Sequence, residues 1–172
     1  MADIHGVVVR DLAGHGDERG VFVEHYRAEW IPDGPQMIQG NVVSRAANSV
    51  VGLHFHRKQS DWWYVVAGTA RLVLHDLRPT SPTHGVTWTR DVTAPKEHVG
   101  VYVPPGVAHG FAALTDMTLT YLVSGYYDVE DELGVAWDDP ALGIDWGISG
   151  APILSGRDRS NPLAADAPPT TV

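Results

Sequence analysis

The chain has 172 residues, 44% of them hydrophobic and 19% charged, with 12 Lys+Arg against 21 Asp+Glu for a formal net charge of −9. That length suits one domain and that balance a folded chain, and the scattered cations give no basic face for nucleic acid. Nine histidines and no cysteine exclude a disulfide scaffold, a thiolate nucleophile, a Cys-ligated zinc site and an iron–sulfur cluster, so any metal would rest on imidazole and carboxylate.

In chain order the sequence predicts short strands separated by Gly, Pro, Asp and Ser. Val7–Val9 and Val21–Glu24 come first, then the longer Met37–Arg45 and Ser49–His56. Trp62–Ala67 and Ala70–Leu77 flank Gly68-Thr69, which reads as a tight hairpin turn. Gly85–Val92, Val99–Val103, Gly110–Leu114 and Met117–Ser124 complete the set, and Asp128–Gly134 reads as a short helix or turn. Regular short strands with turn clusters predict an all-β sandwich or barrel. The expected organisation is one domain over 1–163 and a frayed, Pro-containing tail over 164–172. No stretch of about 18 apolar residues predicts a membrane span, and the N-terminus has no basic-then-apolar leader, so a cytoplasmic location is expected.

The densest chemistry is Gly52-Leu53-His54-Phe55-His56. On a strand, residues i and i+2 share a face, so His54 and His56 present two imidazoles together. Asp61 follows, and later Pro104-Pro105-Gly106-Val107-Ala108-His109. These spacings resemble the two motifs of the cupin superfamily, jelly-roll barrels in which three histidines and a carboxylate converge on one metal. The matching positions are His54, His56, Asp61 and His109.

Longer segments narrow the resemblance. Asp17–Glu24 (DERGVFVE), Gln39-Gly40-Asn41, Gly52-Leu53-His54, Asp76–Thr83 (DLRPTSPT), Pro104–Phe111 (PPGVAHGF), Trp137–Trp146 and Pro152–Asp158 stand in one order. Together they resemble the dTDP-4-dehydrorhamnose 3,5-epimerase family, from about residue 5 to about residue 165. The resemblance implies a jelly-roll enzyme that inverts stereocentres of a nucleotide-linked, dTDP-type 4-keto-6-deoxy sugar, works without a cofactor and forms a homodimer. It implies His54 as base, Asp158 as its orienter and Tyr121 as the opposite-face donor. It implies substrate contacts from Arg19, Phe22, Glu24, Gln39, Asn41, Asp61, His109 and Trp137.

Three positions depart from that family's pattern. Val51 stands where the family has an arginine before Gly-Leu-His, Asp61 where it has a lysine near the developing enolate, and His56 where it commonly has no histidine. A carboxylate beside an enolate is electrostatically unfavourable. The departures leave two further readings open: a metal-dependent cupin with a divalent ion on His54, His56, Asp61 and His109, and a non-catalytic sugar-nucleotide binder. In the metal reading, a His54 bound to an ion could not also be a free base.

Overall fold

The computed structural model describes residues 4–170. Eleven strands form among them: β1 (Val8–Asp11), β2 (Gly14–Asp17), β3 (Gly20–Val23), β4 (Gln39–Arg45), β5 (Val50–Phe55), β6 (Asp61–Asp76), β7 (Thr87–Ala94), β8 (Val99–Val103), β9 (Val107–Ala113), β10 (Met117–Val123) and β11 (Leu133–Gly134). The only helical turns among these residues are three-residue 3-10 turns at Ala28–Trp30, Val129–Asp131 and Ala164–Asp166.

The strand β6 organises the barrel. Its first half, from Asp61, pairs with β8 on one side and β10 on the other, and β10 carries β4 beyond it. Its second half, from Gly68, pairs with β7 and β9, and β9 carries β5 and then β11. With β1 outside β8, two five-stranded antiparallel sheets share one continuous strand and face each other, the layering of a jelly roll.

The hairpin expected at Gly68-Thr69 does not form: β6 runs through for 16 residues. Gly68 is instead the bend where the strand passes from one sheet to the other. It has φ +78°, and a Cβ there would lie 2.1 Å from the Asp116 carbonyl oxygen. The bulge in the β6–β10 register falls beside it, at Thr118/Leu119. A glycine flanked by β-formers is the signal of a hairpin and of a bend alike, because both need a left-handed residue.

Side-chain alternation sorts the core. Along β6, Leu72 and Leu74 face the space between the sheets with Val65, Val101, Phe111 and Leu119, while Val73 faces outward. The outward face is not bare. Val73 meets Val50, Leu53, Phe55, Ala112 and Trp146, covered by the C-terminal third through Leu142, Ile144 and Leu154. That double cover is why every residue of β9 is buried. The neighbouring tryptophans part in the same way: Trp63 enters the inter-sheet core, and Trp62 packs under Ile31 and Tyr102 on the other side.

The Asp76–Thr83 motif is a structural knot. The fully buried Asp76 carboxylate accepts Arg78 Nε at 2.8 Å, Ser81 Oγ at 2.6 Å and Thr83 Oγ1 at 2.7 Å. Burial opposes its ionisation, but the Arg78, Ser81 and Thr83 hydrogen bonds prevail and hold it well below the usual carboxylate range.

The segment expected to fray is packed as far as residue 170. Ala164 and Ala167 lie against the outer apolar cluster, Pro169 accepts a hydrogen bond from Arg57 Nε at 2.8 Å, and Thr170 is buried. Its small residues fit closely on the barrel wall, which the composition could not reveal; the last two positions of the tail lie outside the described residues. The stretch Asp128–Gly134 divides into a 3-10 turn and the two-residue β11, and the ribbon strand β2 was not anticipated.

Candidate active site

The mouth of the barrel opens into a cavity of about 210 Å³. His54, His56, Asp61, His109 and Tyr121 all line it, with Arg45 and Arg157 at its wall. The two sheets contribute unequally. His54 and His109 are cross-strand partners on β5 and β9 of one sheet, and Tyr121 comes from β10 of the facing sheet, opposite Trp63 in register. Alternation on β5 sends Leu53 and Phe55 into the outer apolar cluster and His54 into the cavity. His56, just beyond the strand end, faces the cavity too.

Asp158, 104 positions away in the chain, accepts a hydrogen bond from His54 Nε2 at 2.6 Å. Its second oxygen accepts Ser155 Oγ at 2.7 Å, and Ser155 Oγ in turn accepts the Asp158 backbone N–H at 3.0 Å. Burial opposes ionisation of Asp158, but the bonds from His54 and Ser155 outweigh it and lower its pKa. An ionised carboxylate accepts only, so Nε2 of His54 carries the hydrogen, and the neutral tautomer this selects has its lone pair on Nδ1. His54 is thereby separated from the expected four-ligand metal set: its bond is to Asp158, and the close cluster consists of His56, Asp61 and His109.

His56 donates Nδ1–H to the Asp131 carbonyl at 2.7 Å, and the Asp131 carboxylate accepts the backbone N–H groups of Arg57 and Lys58 at 2.7 and 3.1 Å. The 3-10 turn at 129–131 thus props the loop that carries His56. The side chain of Lys58 lines a separate recess with Tyr126 and Asp128, not this cavity. His109 donates Nδ1–H to the Val107 carbonyl at 3.0 Å, and its ring meets Trp63 edge-on at 5.2 Å. Burial pushes its pKa down to about 4, only partly offset by the Asp61 carboxylate. Asp61 accepts Gln59 Nε2 at 3.0 Å and Trp63 Nε1 at 3.1 Å. Tyr121 is raised by burial first and by the charges of Asp61 and Glu132 after that, so its phenol stays protonated at neutral pH.

The remaining expected substrate residues lie elsewhere. Arg19 and Phe22 sit on the β2–β3 ribbon, which pairs with no other strand; the Arg19 side chain is 85% exposed and Phe22 is 64% exposed. Glu24 is held by Arg27 at 2.6 Å. Gln39 Nε2 donates to Asn41 Oδ1 at 3.0 Å on β4. Trp137, expected at the substrate, packs instead against the outer apolar cluster, and its carbonyl accepts Trp146 Nε1 at 2.8 Å. An indole in a Gly/Pro/Asp-rich segment is drawn to the largest apolar surface available, here the back of β5 and β9.

Arg45 and Arg157 were not expected at the wall. Arg157 is paired with Glu132 and bonded to the Leu133 carbonyl at 2.9 Å, whereas Arg45 donates to the Ser44 carbonyl and makes no ion pair among the described residues. Val51 lines the cavity with them, so β4 and the 155–160 turn bring cations to a wall whose nearest strand lacks one.

A jelly-roll barrel with a carboxylate-oriented histidine and a protonated tyrosine on facing walls defines an acid–base isomerase of the cupin type. Comparison with known proteins makes this specific. The family model described as dTDP-4-dehydrorhamnose 3,5-epimerase matches residues 1–166, and the chain belongs to that family. It is 38% identical over 159 residues to a dTDP-4-dehydrorhamnose 3-epimerase of Streptomyces niveus, covering 88% of this chain and 76% of the relative. It is 35% identical over 153 residues to the spore coat polysaccharide biosynthesis protein SpsL of Bacillus subtilis, covering 83% and 96%. Among solved structures, NovW, a 4-keto-6-deoxy sugar epimerase from the novobiocin gene cluster of Streptomyces spheroides, superposes with a TM-score of 0.89 at 36% identity, over 96% of this chain and 86% of that one. The rmlC epimerase of Mycobacterium tuberculosis gives 0.90 at 31% identity, over 96% and 88%. Among the described residues, no helix is long and apolar enough to cross a membrane.

Proposed function

We propose that the protein epimerises a dTDP-linked 4-keto-6-deoxy sugar, with His54 as base, Asp158 as its orienting partner and Tyr121 as the donor on the opposite face. The observation that carries this is the 2.6 Å bond between His54 Nε2 and Asp158 in the cavity that Tyr121 also lines. The hydrogen on C3 or C5 is acidified by the C4 ketone. The bare Nδ1 of His54 takes it, the C–H electron pair becomes the C=C bond of an enolate, and the carbonyl π pair moves to oxygen. Asp158 stabilises the imidazolium that forms. The phenol of Tyr121 then protonates the carbon from the facing sheet. Burial, which keeps that phenol protonated, suits a donor and not a base.

A cavity of about 210 Å³ is below the roughly 300–1,000 Å³ of pockets that enclose drug-sized ligands. It suits the sugar end of the substrate and leaves the nucleotide outside. Arg45 and Arg157 stand at the wall for the diphosphate, in place of the arginine absent at position 51. Gln39 and Asn41 lie on the neighbouring strand β4. The exposed β2–β3 ribbon, with Arg19 and Phe22 at 85% and 64% exposure, serves the site of a second copy in a homodimer.

The test is incubation with dTDP-4-keto-6-deoxyglucose in deuterated water, followed by mass spectrometry and NMR. Deuterium is expected at C3, C5 or both, and is lost in His54→Asn. No incorporation by the wild-type chain would refute the reading, and nucleotide binding without exchange would establish a non-catalytic binder instead.

A further inference from the structure

We propose that His56, Asp61 and His109 form a site for one divalent first-row metal ion, with His54 left outside it. A ligand atom from each of the three lies within 4.8 Å of those of the other two, and all three residues are buried. What lies behind each ring fixes its orientation. A carbonyl oxygen only accepts, so the bonds to Asp131 and Val107 require hydrogen on Nδ1 of His56 and of His109. That leaves Nε2 of each ring as the nitrogen free to ligate. Metal-bound imidazoles are held in this way, by a backbone acceptor on the far nitrogen.

Asp61 supplies the carboxylate. It is 4% exposed, and Gln59 and Trp63 hold its two oxygens without bringing any charge. Among the described residues no Lys or Arg pairs with it, and its one ion-pair neighbour is His109, with Nε2 at 3.8 Å from Oδ2. A buried carboxylate with no cation beside it is costly. A divalent ion at the centre offsets that cost. Zinc-like ions bind nitrogen and oxygen at about 2.0–2.2 Å, so two ligand atoms on one ion span at most about 4.3 Å. The 3.8 Å separation of His109 Nε2 and Asp61 Oδ2 fits within it. Two imidazoles and one carboxylate suit Fe, Mn, Co, Ni or Zn and leave coordination positions open. All three ligands line the cavity.

The conflict between base and ligand disappears in this arrangement. His54 keeps its bond to Asp158 and its bare Nδ1, while the ion is held by three other residues. The role of the ion rests on the epimerase reading, although its binding does not. Beside the C4 ketone it draws electron density onto the oxygen, the work of the cation that Asp61 replaces. The proton still passes from carbon to His54, and no electrons leave the substrate.

The chain, prepared without an affinity tag and stripped with a chelator, is titrated with Co²⁺ alone and followed by visible absorption and calorimetry. One ion per chain with d–d absorption is expected. Loss of an outer-shell partner already costs about 10–100-fold in metal affinity, so His56→Ala and Asp61→Asn should each weaken Co²⁺ at least about 100-fold. His54→Asn should change affinity by only a few-fold. Absence of stoichiometric binding, unchanged affinity in His56→Ala and Asp61→Asn, or loss in His54→Asn as large as in His56→Ala would each overturn the three-residue site. Circular dichroism checks folding, and His109→Gln replaces any variant that fails it. Deuterium exchange by the stripped enzyme keeps the two readings apart. Exchange by a chain that binds no Co²⁺ leaves the epimerase standing and removes the ion; Co²⁺ binding without exchange does the reverse.

Discussion

Asp158→Asn exchanges a single carboxylate oxygen for an NH2 group and should nearly silence the enzyme. In the native site one Asp158 oxygen faces His54 Nε2 at 2.6 Å and the other faces Ser155 Oγ at 2.7 Å. Ser155 Oγ already accepts the backbone N–H of residue 158, so its own hydrogen must go to the side chain. An asparagine satisfies Ser155 by turning its oxygen that way, which points the amide N–H at His54. Nε2 then becomes the acceptor and the hydrogen moves to Nδ1, the atom that must be bare. Loss of a charge-assisted bond to the imidazolium costs about 1.5–3 kcal/mol, or roughly 10–160-fold in rate. Loss of the correct tautomer removes a general base worth about 10²–10⁴-fold. The expected fall in kcat is therefore at least about 10³-fold, with KM little changed, because Asp158 does not line the cavity. Deuterium exchange under single-turnover conditions isolates the chemical step. Since the pair acts as a unit, the His54→Asn/Asp158→Asn double variant should be no slower than His54→Asn alone. A folded Asp158→Asn within tenfold of wild type, or effects that multiply in the double variant, would refute the assignment.

Tyr121→Phe should keep proton removal but lose inversion: deuterium from solvent enters the original face, and epimer formation falls at least about 10²-fold, read by NMR of the product. Gly68→Ala places a Cβ 2.1 Å from the Asp116 carbonyl at φ +78°; a loss of about 1–3 kcal/mol is expected by denaturant titration, and a loss under 0.5 kcal/mol would contradict the bend. Against burial, the Arg78, Ser81 and Thr83 hydrogen bonds hold the Asp76 carboxyl well below the usual carboxylate range. A depressed carboxylate contributes stability above its unfolded-state pKa and loses it as the pH falls toward the folded one. Thermal stability of the wild type should therefore drop steeply below about pH 4. Asp76→Asn should be less stable at pH 7 and show a shallower acid slope, and parallel pH profiles would show that the Arg78–Thr83 knot is not the cause.

The pairing of His54 with His56 was legible because strand alternation is local: two positions apart means one face. Asp158 was not legible from spacing, since its bond spans 104 residues and depends on the C-terminal third folding over the back of β5; only the order of family motifs pointed to it. Trp137 lay within such a motif and still went elsewhere, because a motif preserves a fold as readily as a site. The same distinction bears on the departures at 56 and 61. Read singly, each is a loss, a lysine gone from beside an enolate and an odd histidine gained. In the folded chain both residues meet His109 in one buried cluster, with each imidazole's far nitrogen on a backbone carbonyl. A carboxylate placed there alone would oppose the enolate. Together with a second imidazole it completes a set of nitrogen and oxygen donors whose natural complement is a cation. Introducing only one half of the family's pattern is then informative. Asp61→Lys in the native chain would put an ammonium beside His56 and His109, which should abolish Co²⁺ binding while supplying charge to the C4 oxygen. Partial exchange activity that no longer falls on treatment with chelator is the expected result; full retention of chelator sensitivity would show that the ion sits elsewhere.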